Sequence, residues 1–439
     1  MARLGNSTAT IQFQDILGQN RPDLSSYEEL YKHFHQNPEI STLEENTSTK
    51  IESRLRSISP HGELDIRTKI GGHGLIAICK NGSGPTVLLR ADMDGMPVSE
   101  KTGLSYASSK TQKDDLDGQV KQVMHACGHD FHITSLLAAA ETMLAARKVW
   151  SGTVIFLFQP AEERGSGARD MVNDGLYDPN RHACPVPDIC MAQHVYPELA
   201  GSVQTKFGPF FSAADSYRIT IYGSGGHGSM PHRCIDPVVV ACHVVIRFQT
   251  IVSREIPPDE TAVITVGSIQ SGDTVNVISD EAILQVNIRS VSEKWRKTIL
   301  DSIKRIVDGE CGISRCPKPA TIEKLNDYPL TDNDEEATER IEESFVRYFS
   351  HCHGTIDKAL LASEDFSHLA TAVGKPYVYW TFGGIDRETW DMHDKANTLD
   401  QISVNHSPFF KPAIQPTLQT GVDALVVAAL TYVGTGSHR

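Results

Sequence analysis

The sequence predicts a doubly wound α/β domain with a mostly parallel sheet, interrupted by a smaller α+β domain. Three observations predict it: short continuous apolar runs flanking a helical pattern, a change to alternating patterns near Ser212, and a return of the first texture after Leu325.

Thr86 to Arg90 (TVLLR), Thr153 to Phe158 (TVIFLF) and Ile189 to Ala192 (ICMA) are the apolar runs. Unbroken apolarity over four to six residues suits strands buried on both faces of a parallel sheet. Between the first two runs, Ile133, Leu136, Leu137, Ala140 and Leu144 recur at helical spacing, with His129 or Asp130 near the start. That order is βαβ. From Ser212 the texture changes. Tyr217 to Tyr222 alternates, Pro237 to Ile251 is helical, Ala262 to Ile269 alternates, a strand runs through Ala282 to Ile288, and Trp295 to Val307 is helical. A short strand near Ala320 to Ile322 completes β-α-β-β-α-β, a ferredoxin-like pattern. After Leu325, Thr338 to Tyr348 is helical and Tyr377 to Phe382 strand-like, so the first domain resumes. The expected domains are therefore 1–211 and 326–439 for the large one and 212–325 for the insertion, with Gly208-Pro209 a candidate hinge boundary.

The bulk properties narrow the function classes. The chain has 439 residues, 40% hydrophobic and 22% charged, so two domains are the default. Its net charge of −14, with no local Lys/Arg cluster, disfavours nucleic acid and acidic membranes as partners. Met1 to Gln14 lacks the apolar core and cleavage site of a secretory signal, and the mature protein is expected to start near there. Ala424 to Val433 is too short to span a membrane and reads as a buried terminal helix. Nine scattered cysteines fit reduced thiols and a cytoplasmic location, and Cys311 and Cys316 lack the second pair that a zinc knuckle needs. The polar tracts Ser108 to Gln122 and Asp178 to Asp188 read as mobile loops that shape access.

Chemistry-bearing residues follow the carboxyl ends of the three predicted strands. Asp92 and Asp94 follow the first in RADMDGMP, Glu162 and Glu163 the second in QPAEE, and His194 the third in QHV. Open α/β sheets bind ligands at that edge. HACGHDFH adds Cys127 and His129 in the loop entering the helix, a thiolate and an imidazole able to reach one ion. Singly, each such residue is more often packed or hydrogen-bonded than metal-bound. Their convergence on one edge favours a metal centre. Adjacent carboxylates repel, a conflict that eases if one of Glu162 and Glu163 holds metal while the other faces a water and moves its proton.

HACGHDFH, FQPAEERGSGA, GHGSMPH, NVISD, ASEDFS and NHSPFF, in that order, resemble the metal-dependent amidohydrolase branch of the aminoacylase and carboxypeptidase family. The resemblance covers about residues 25 to 433. It implies hydrolysis of the amide bond of N-acyl amino acids or similar small conjugates, with two divalent ions (zinc, manganese or cobalt) held by Cys127, His129, Glu163, His194 and His406. It implies further that Cys127 bridges the ions, that Glu162 is the general base, and that Asp94 orients a ligand. In the inserted domain it implies a carbonyl-polarising role for His227, an oxyanion or substrate contact for Asn276, and a substrate-carboxylate contact for Arg289. It also implies a homodimer through the inserted domain, with His227 serving its own or the partner's site. One departure is Arg164, where the family usually has glycine.

Two other readings compete. Gly223 to Gly228 fits GxGxxG after a strand, the mark of a dinucleotide-binding oxidoreductase, yet Met230, Pro231 and a loop to Asp236-Pro237 separate it from the next helix. A catalytically silent metal-binding relative of the same fold is the other, and the presence of Glu162 argues against it.

Overall fold

The computed structural model describes residues 12–435, so residues 1–11 of the stretch tested for a signal lie outside the described residues. The described residues form two compact units, the second of Pro209–Asp332 and Lys358–Glu364 and the first of the remainder.

The first unit is built on an eight-stranded sheet. Its centre is four parallel strands in the order Gly152–Gln159, Thr86–Asp92, Ile189–Leu199, Tyr377–Ile385. Val87, Leu89, Phe156, Phe158 and Met191 are fully buried, as both-faced packing demands. Each such side chain contributes about 1.5–3 kcal/mol over an exposed one. Asp65–Ile70 and Gly74–Asn81 add an antiparallel edge at the Gly152–Gln159 side. Val203–Thr205 pairs antiparallel with Tyr377–Ile385 and parallel with His353–Thr355 on the other.

The βαβ unit is present. Thr86–Asp92 leads through helix His129–Ala145 to Gly152–Gln159, and the chain then passes to Ile189–Leu199 on the opposite side of Thr86–Asp92. That reversal is a topological switch point, where the carboxyl ends of neighbouring strands part to leave a crevice. Helix His129–Ala145 is buried almost all round, and helix Ile414–Val433 packs against it. Helices Ser25–Gln36 and Glu45–Ile58 also pack on it.

The second unit has a four-stranded antiparallel sheet in the order Ala262–Gln270, Glu281–Ser290, Ala213–Tyr222, Thr321–Tyr328. Helices Pro237–Arg254 and Glu293–Ile313 supply Val240, Val244, Phe248, Ile299, Ile303 and Val307 to a core shared with Ile219, Ile221, Leu284, Val286 and Ile288. Order and register are those of the β-α-β-β-α-β pattern. The last strand continues past Leu325 to Tyr328, because an edge strand tolerates the charged run Glu323, Lys324, Asp327 that masks its period. Lys358–Glu364 joins this unit through Ser212, whose backbone N–H donates to the carbonyls of Leu360 at 3.1 Å and Ala362 at 2.9 Å. Pro237–Arg254 is long and apolar enough to cross a membrane by composition, but one face lies on this sheet. The glycines of Gly223 to Gly228 do not open a helix; a short strand and a 3-10 turn intervene before Asp236 caps Pro237–Arg254.

Candidate metal centre

At the switch point four loop or helix-start residues and His194, which lies within the strand Ile189–Leu199 rather than beyond its end, bring five metal-type donors together within the first unit. Cys127 Sγ stands 3.3 Å from His194 Nε2 and 3.2 Å from His406 Nε2. Glu163 Oε1 is 3.5 Å from His406 Nε2 and 3.8 Å from His129 Nε2. With metal–nitrogen and metal–sulfur bonds of about 2.0 and 2.3 Å, two donors on one ion stand roughly 3.1–3.6 Å apart. Cys127, His129 and Glu163 form one cluster able to hold an ion. His194 and His406 also stand beside the same sulfur, so the thiol adjoins donors beyond that cluster.

Local backbone chemistry sets these side chains. Gly128 precedes the helix at φ 87°, and a Cβ there would meet Val195 Cγ1 at 2.3 Å, so only glycine lets the Cys127 loop lie against the Ile189–Leu199 strand. Asn405 Nδ2 donates to the carbonyls of Cys127 at 3.0 Å and Val195 at 3.2 Å, tying the loop of one donor to the strand of another. His406 N–H donates to Ala126 O at 2.8 Å.

Tautomers separate ligands from bystanders. His129 Nδ1 donates to Asp94 O at 2.9 Å, and His194 Nδ1 to Val195 O at 2.7 Å. Each therefore keeps its Nε2 lone pair for the centre. His129 Nε2 is buried and has no hydrogen-bond partner, a costly state unless a cation takes the lone pair. His132 differs. Its Nε2 accepts from Val195 N–H at 2.8 Å and its Nδ1 donates to Asp92 at 2.5 Å, so both nitrogens are committed.

Charge points the same way. Burial opposes protonation of His129, but Asp92, Asp94 and Glu163 outweigh it and push its pKa up to about 10. Burial, with Asp94 adding, pushes Glu163 up to about 7 against the pull of His129. Burial and the neighbouring Glu163 and Glu162 hold the Cys127 thiol well above its ordinary range. Burial would raise Asp92 too, yet His129, His132 and Arg90 hold it well below the usual carboxylate range. A divalent cation would take the place of the proton on His129 and offset the burial that raises Glu163 and Cys127, so it fits this donor set.

Glu162 is buried with Oε2 4.0 Å from His129 Nε2, beside the cluster. Asp94 accepts from Ser41 Oγ at 2.6 Å and from Glu163 N–H at 3.0 Å. Arg164 turns to the ribbon of Thr111–Lys113 and Val120–Gln122: its Nη2 is 2.9 Å from Asp114 and 2.7 Å from Asp115, and its Nη1 donates to Thr42 at 3.0 Å. Lys121 closes the same turn on Asp114 and Asp117, both at 2.8 Å.

The other three predicted residues lie in the second unit. His227 and Asn276 are exposed neighbours, with Gly228 N–H donating to Asn276 O at 2.8 Å. His227 Nδ1 accepts from Ser229 N–H at 3.1 Å and lies 2.8 Å from Ser229 Oγ. A backbone N–H can only donate, so in neutral His227 the proton is on Nε2. Arg289 bonds Asn287 Oδ1 at 3.3 Å and Ser363 Oγ at 3.3 Å and donates to the Leu361 carbonyl.

Sequence reasoning did not single out Ser41, His132, Arg90 or Asn405. Arg90 is buried and pairs with Asp92 at 2.8 Å and Gln159 at 2.8 Å. An arginine inside the apolar run TVLLR is a signal for a buried charge partner. Asn405 beside His406 carries no pattern of its own.

A model of peptidase family M20/M25/M40 matches residues 88–406. The N-acetyl-L-cysteine deacetylase of Bacillus subtilis (strain 168) is 32% identical over 415 residues, 92% of this chain and 91% of that protein. The hippurate hydrolase of Campylobacter jejuni is 32% identical over 343 residues, 77% and 84% of the two chains. A crystal structure from methicillin-resistant Staphylococcus aureus is similar with a TM-score of 0.80 at 28% identity, covering 96% of this chain and 100% of that one.

Proposed function

The chain belongs to peptidase family M20/M25/M40, and from that premise we propose that it hydrolyses the amide bond of N-acyl amino acids or similar small conjugates with metal-activated water. The observation that carries this reading is the convergence of Cys127, His129, Glu163, His194 and His406 on one point, with His406 on its exposed side and Glu162 beside it. N-acetyl-L-cysteine and hippurate, named in two relatives, are both N-acyl amino acids.

In this reading Cys127, His129, Glu163, His194 and His406 would hold two divalent ions, zinc, manganese or cobalt. Such ions supply a Lewis acid for the amide carbonyl and make water acidic near neutral pH. The remaining work falls to the chain. Glu162 takes the proton of the attacking water and delivers it to the departing nitrogen as the C–N bond breaks. Asp94 holds the His129 side of the centre. His227 donates from Nε2 to the charge developing on the carbonyl oxygen, a role its tautomer suits, with Asn276 beside it.

Arg289 takes the substrate carboxylate. Arg289→Ala is then expected to weaken N-acyl amino acids more than their amides, by about 2–5 kcal/mol for loss of one partner of a desolvated pair. Lys at this position should rescue only in part, since an ammonium lacks the planar fork. Equal losses for acid and amide substrates remove the carboxylate role. Cys127→Ser is expected to lower metal content, and a fully loaded, active variant would show that the thiol is not a ligand.

A cytoplasmic homodimer paired through the inserted unit belongs to the same reading. Its support is the exposed apolar set Val238, Val239 and Ile246 on helix Pro237–Arg254, with Ile269 on the edge strand of the same unit. The deciding experiment is hydrolysis of N-acetyl, N-benzoyl, N-lauroyl and indole-acetyl amino acids before and after chelation. Chelator-sensitive cleavage of at least one class is expected. Metal-loaded protein inert to all four contradicts the reading.

A further inference from the structure

Glu162 sits between two anchored peptide groups. Behind it, Ala161 N–H donates to Glu44 Oε1 at 2.8 Å; ahead of it, Glu163 N–H donates to Asp94 Oδ2 at 3.0 Å. Both carboxylates also hold the segment that precedes Glu44. Asp94 Oδ2 accepts from Ser41 Oγ at 2.6 Å, and Glu44 Oε1 accepts from Thr42 N–H at 2.9 Å. Two carboxylates thus stitch residues 41–42 to residues 161–163, one on either side of Glu162.

The stitched backbone is strained. Thr42 has φ 72° and Ala161 φ 51°, left-handed conformations that cost a residue with a Cβ about 1–2 kcal/mol. The kink at Ala161 turns the chain at the end of the Gly152–Gln159 strand and aims the next residue. Other bonds pin its far side: Ala161 O accepts from Gly167 N–H at 3.2 Å, and Glu162 O from Gly165 N–H at 2.7 Å. On its near side the Ala161 N–H has Glu44. Glu44 is fully buried, and its Oε2 has no hydrogen-bond partner, a state that costs stability. Burial and the charge of Asp94 push Glu44 up to about 8.

We propose that Glu44 is a positioning residue for Glu162: one carboxylate oxygen fastens the left-handed kinks at Thr42 and Ala161 and so sets where the Glu162 carboxylate points. The inference rests on Glu162 as the base. It assigns Glu44 no contact with substrate or metal.

The test compares Glu44→Gln, which keeps an acceptor oxygen, with Glu44→Ala, which removes it, and Glu44→Asp, which withdraws it by one methylene. In metal-replete protein, Ala and Asp variants are expected to lose about 10- to 100-fold in kcat, the scale of a misplaced catalytic group, with KM changed less than about threefold and metal content kept. Gln should stay within about threefold of the parent. In chelator-treated protein, amide exchange at Thr42 and Ala161 should quicken by roughly tenfold or more in Ala and Asp but not in Gln, as local opening predicts. Parental kcat and exchange in a folded Ala variant overturn the proposal, and so does a Gln variant as impaired as Ala. If Ala does not fold, Asp decides by the same two measurements. Glu162→Gln separates the layers: if it stays active the base assignment fails, whereas if it is inactive and the Glu44 variants are normal, only the positioning role fails.

Discussion

Glu162→Gln is expected to bind its full complement of metal and yet lose at least about 10²-fold in turnover, the usual contribution of a positioned acid–base group. The substitution keeps size and hydrogen-bonding reach and removes only proton acceptance. Glu162 is suited to the duty because Glu163 is the carboxylate of the adjacent pair that joins Cys127 and His129 in one donor cluster, while Glu162 lies beside it with Oε2 4.0 Å from His129 Nε2. Metal analysis and turnover on one sample check the result. Near-normal turnover refutes the assignment, and loss of metal together with activity would instead move Glu162 into the ligand set.

His227→Ala carries the largest expected effect, roughly 10²–10³-fold in turnover with metal content unchanged, the scale for removal of an oxyanion donor. The side chain is exposed within its own unit, and Ser229 fixes its Nδ1 as the acceptor, leaving Nε2 to donate. All five metal-type donors belong to the other unit. We therefore propose that His227 is supplied to the carbonyl by the inserted unit, of the same chain or of a partner. Mixing His227→Ala with Glu162→Gln subunits tells these apart. Recovered activity means a site shared across a dimer, and no recovery despite proven subunit exchange means each chain uses its own His227. A His227→Ala protein with parental turnover removes the donor role.

Much of the scaffold was legible because burial forces simple periods. TVLLR, TVIFLF and ICMA could be read as inner strands since both faces are covered, and the alternation in Tyr217 to Tyr222 since one face is. Edge elements resisted for the opposite reason. Thr321–Tyr328 is half-exposed and charged, and Asp65–Ile70 mixes polar and apolar residues without a clean period. Helix Ser25–Gln36 does carry its signal, with Tyr27, Leu30, Tyr31 and Phe34 on one face, but nothing local says that it packs on the helix behind His129.

The donors were legible through motif and strand order, as with Cys127 and His129 in HACGHDFH. His406 was reached through the family resemblance, because a histidine in a polar loop more than 270 positions from Cys127 has no local mark. The supports were hidden more deeply. Ser41, Glu44, His132 and Asn405 act through backbone N–H and C=O groups, and the partner of such a group depends on the tertiary path of the chain.

Arg164 bears on how such a protein diversifies. The ribbon that it grips is fastened at its turn by ionic contacts to Asp114 and Asp115, while Leu116 and Val120 of the same ribbon are 74% and 69% exposed. Asp114 is buried, whereas Asp115 is half-exposed, and a pair on that exposed side contributes only about 0–1 kcal/mol. The base of the ribbon is nonetheless tied in: Gln112 accepts from Ile40 N–H at 2.7 Å and donates to the Leu43 carbonyl at 3.2 Å, on either side of the segment stitched to Glu162. Its solvent-facing tip, with Leu116 and Val120, is where drift in sequence costs the centre least.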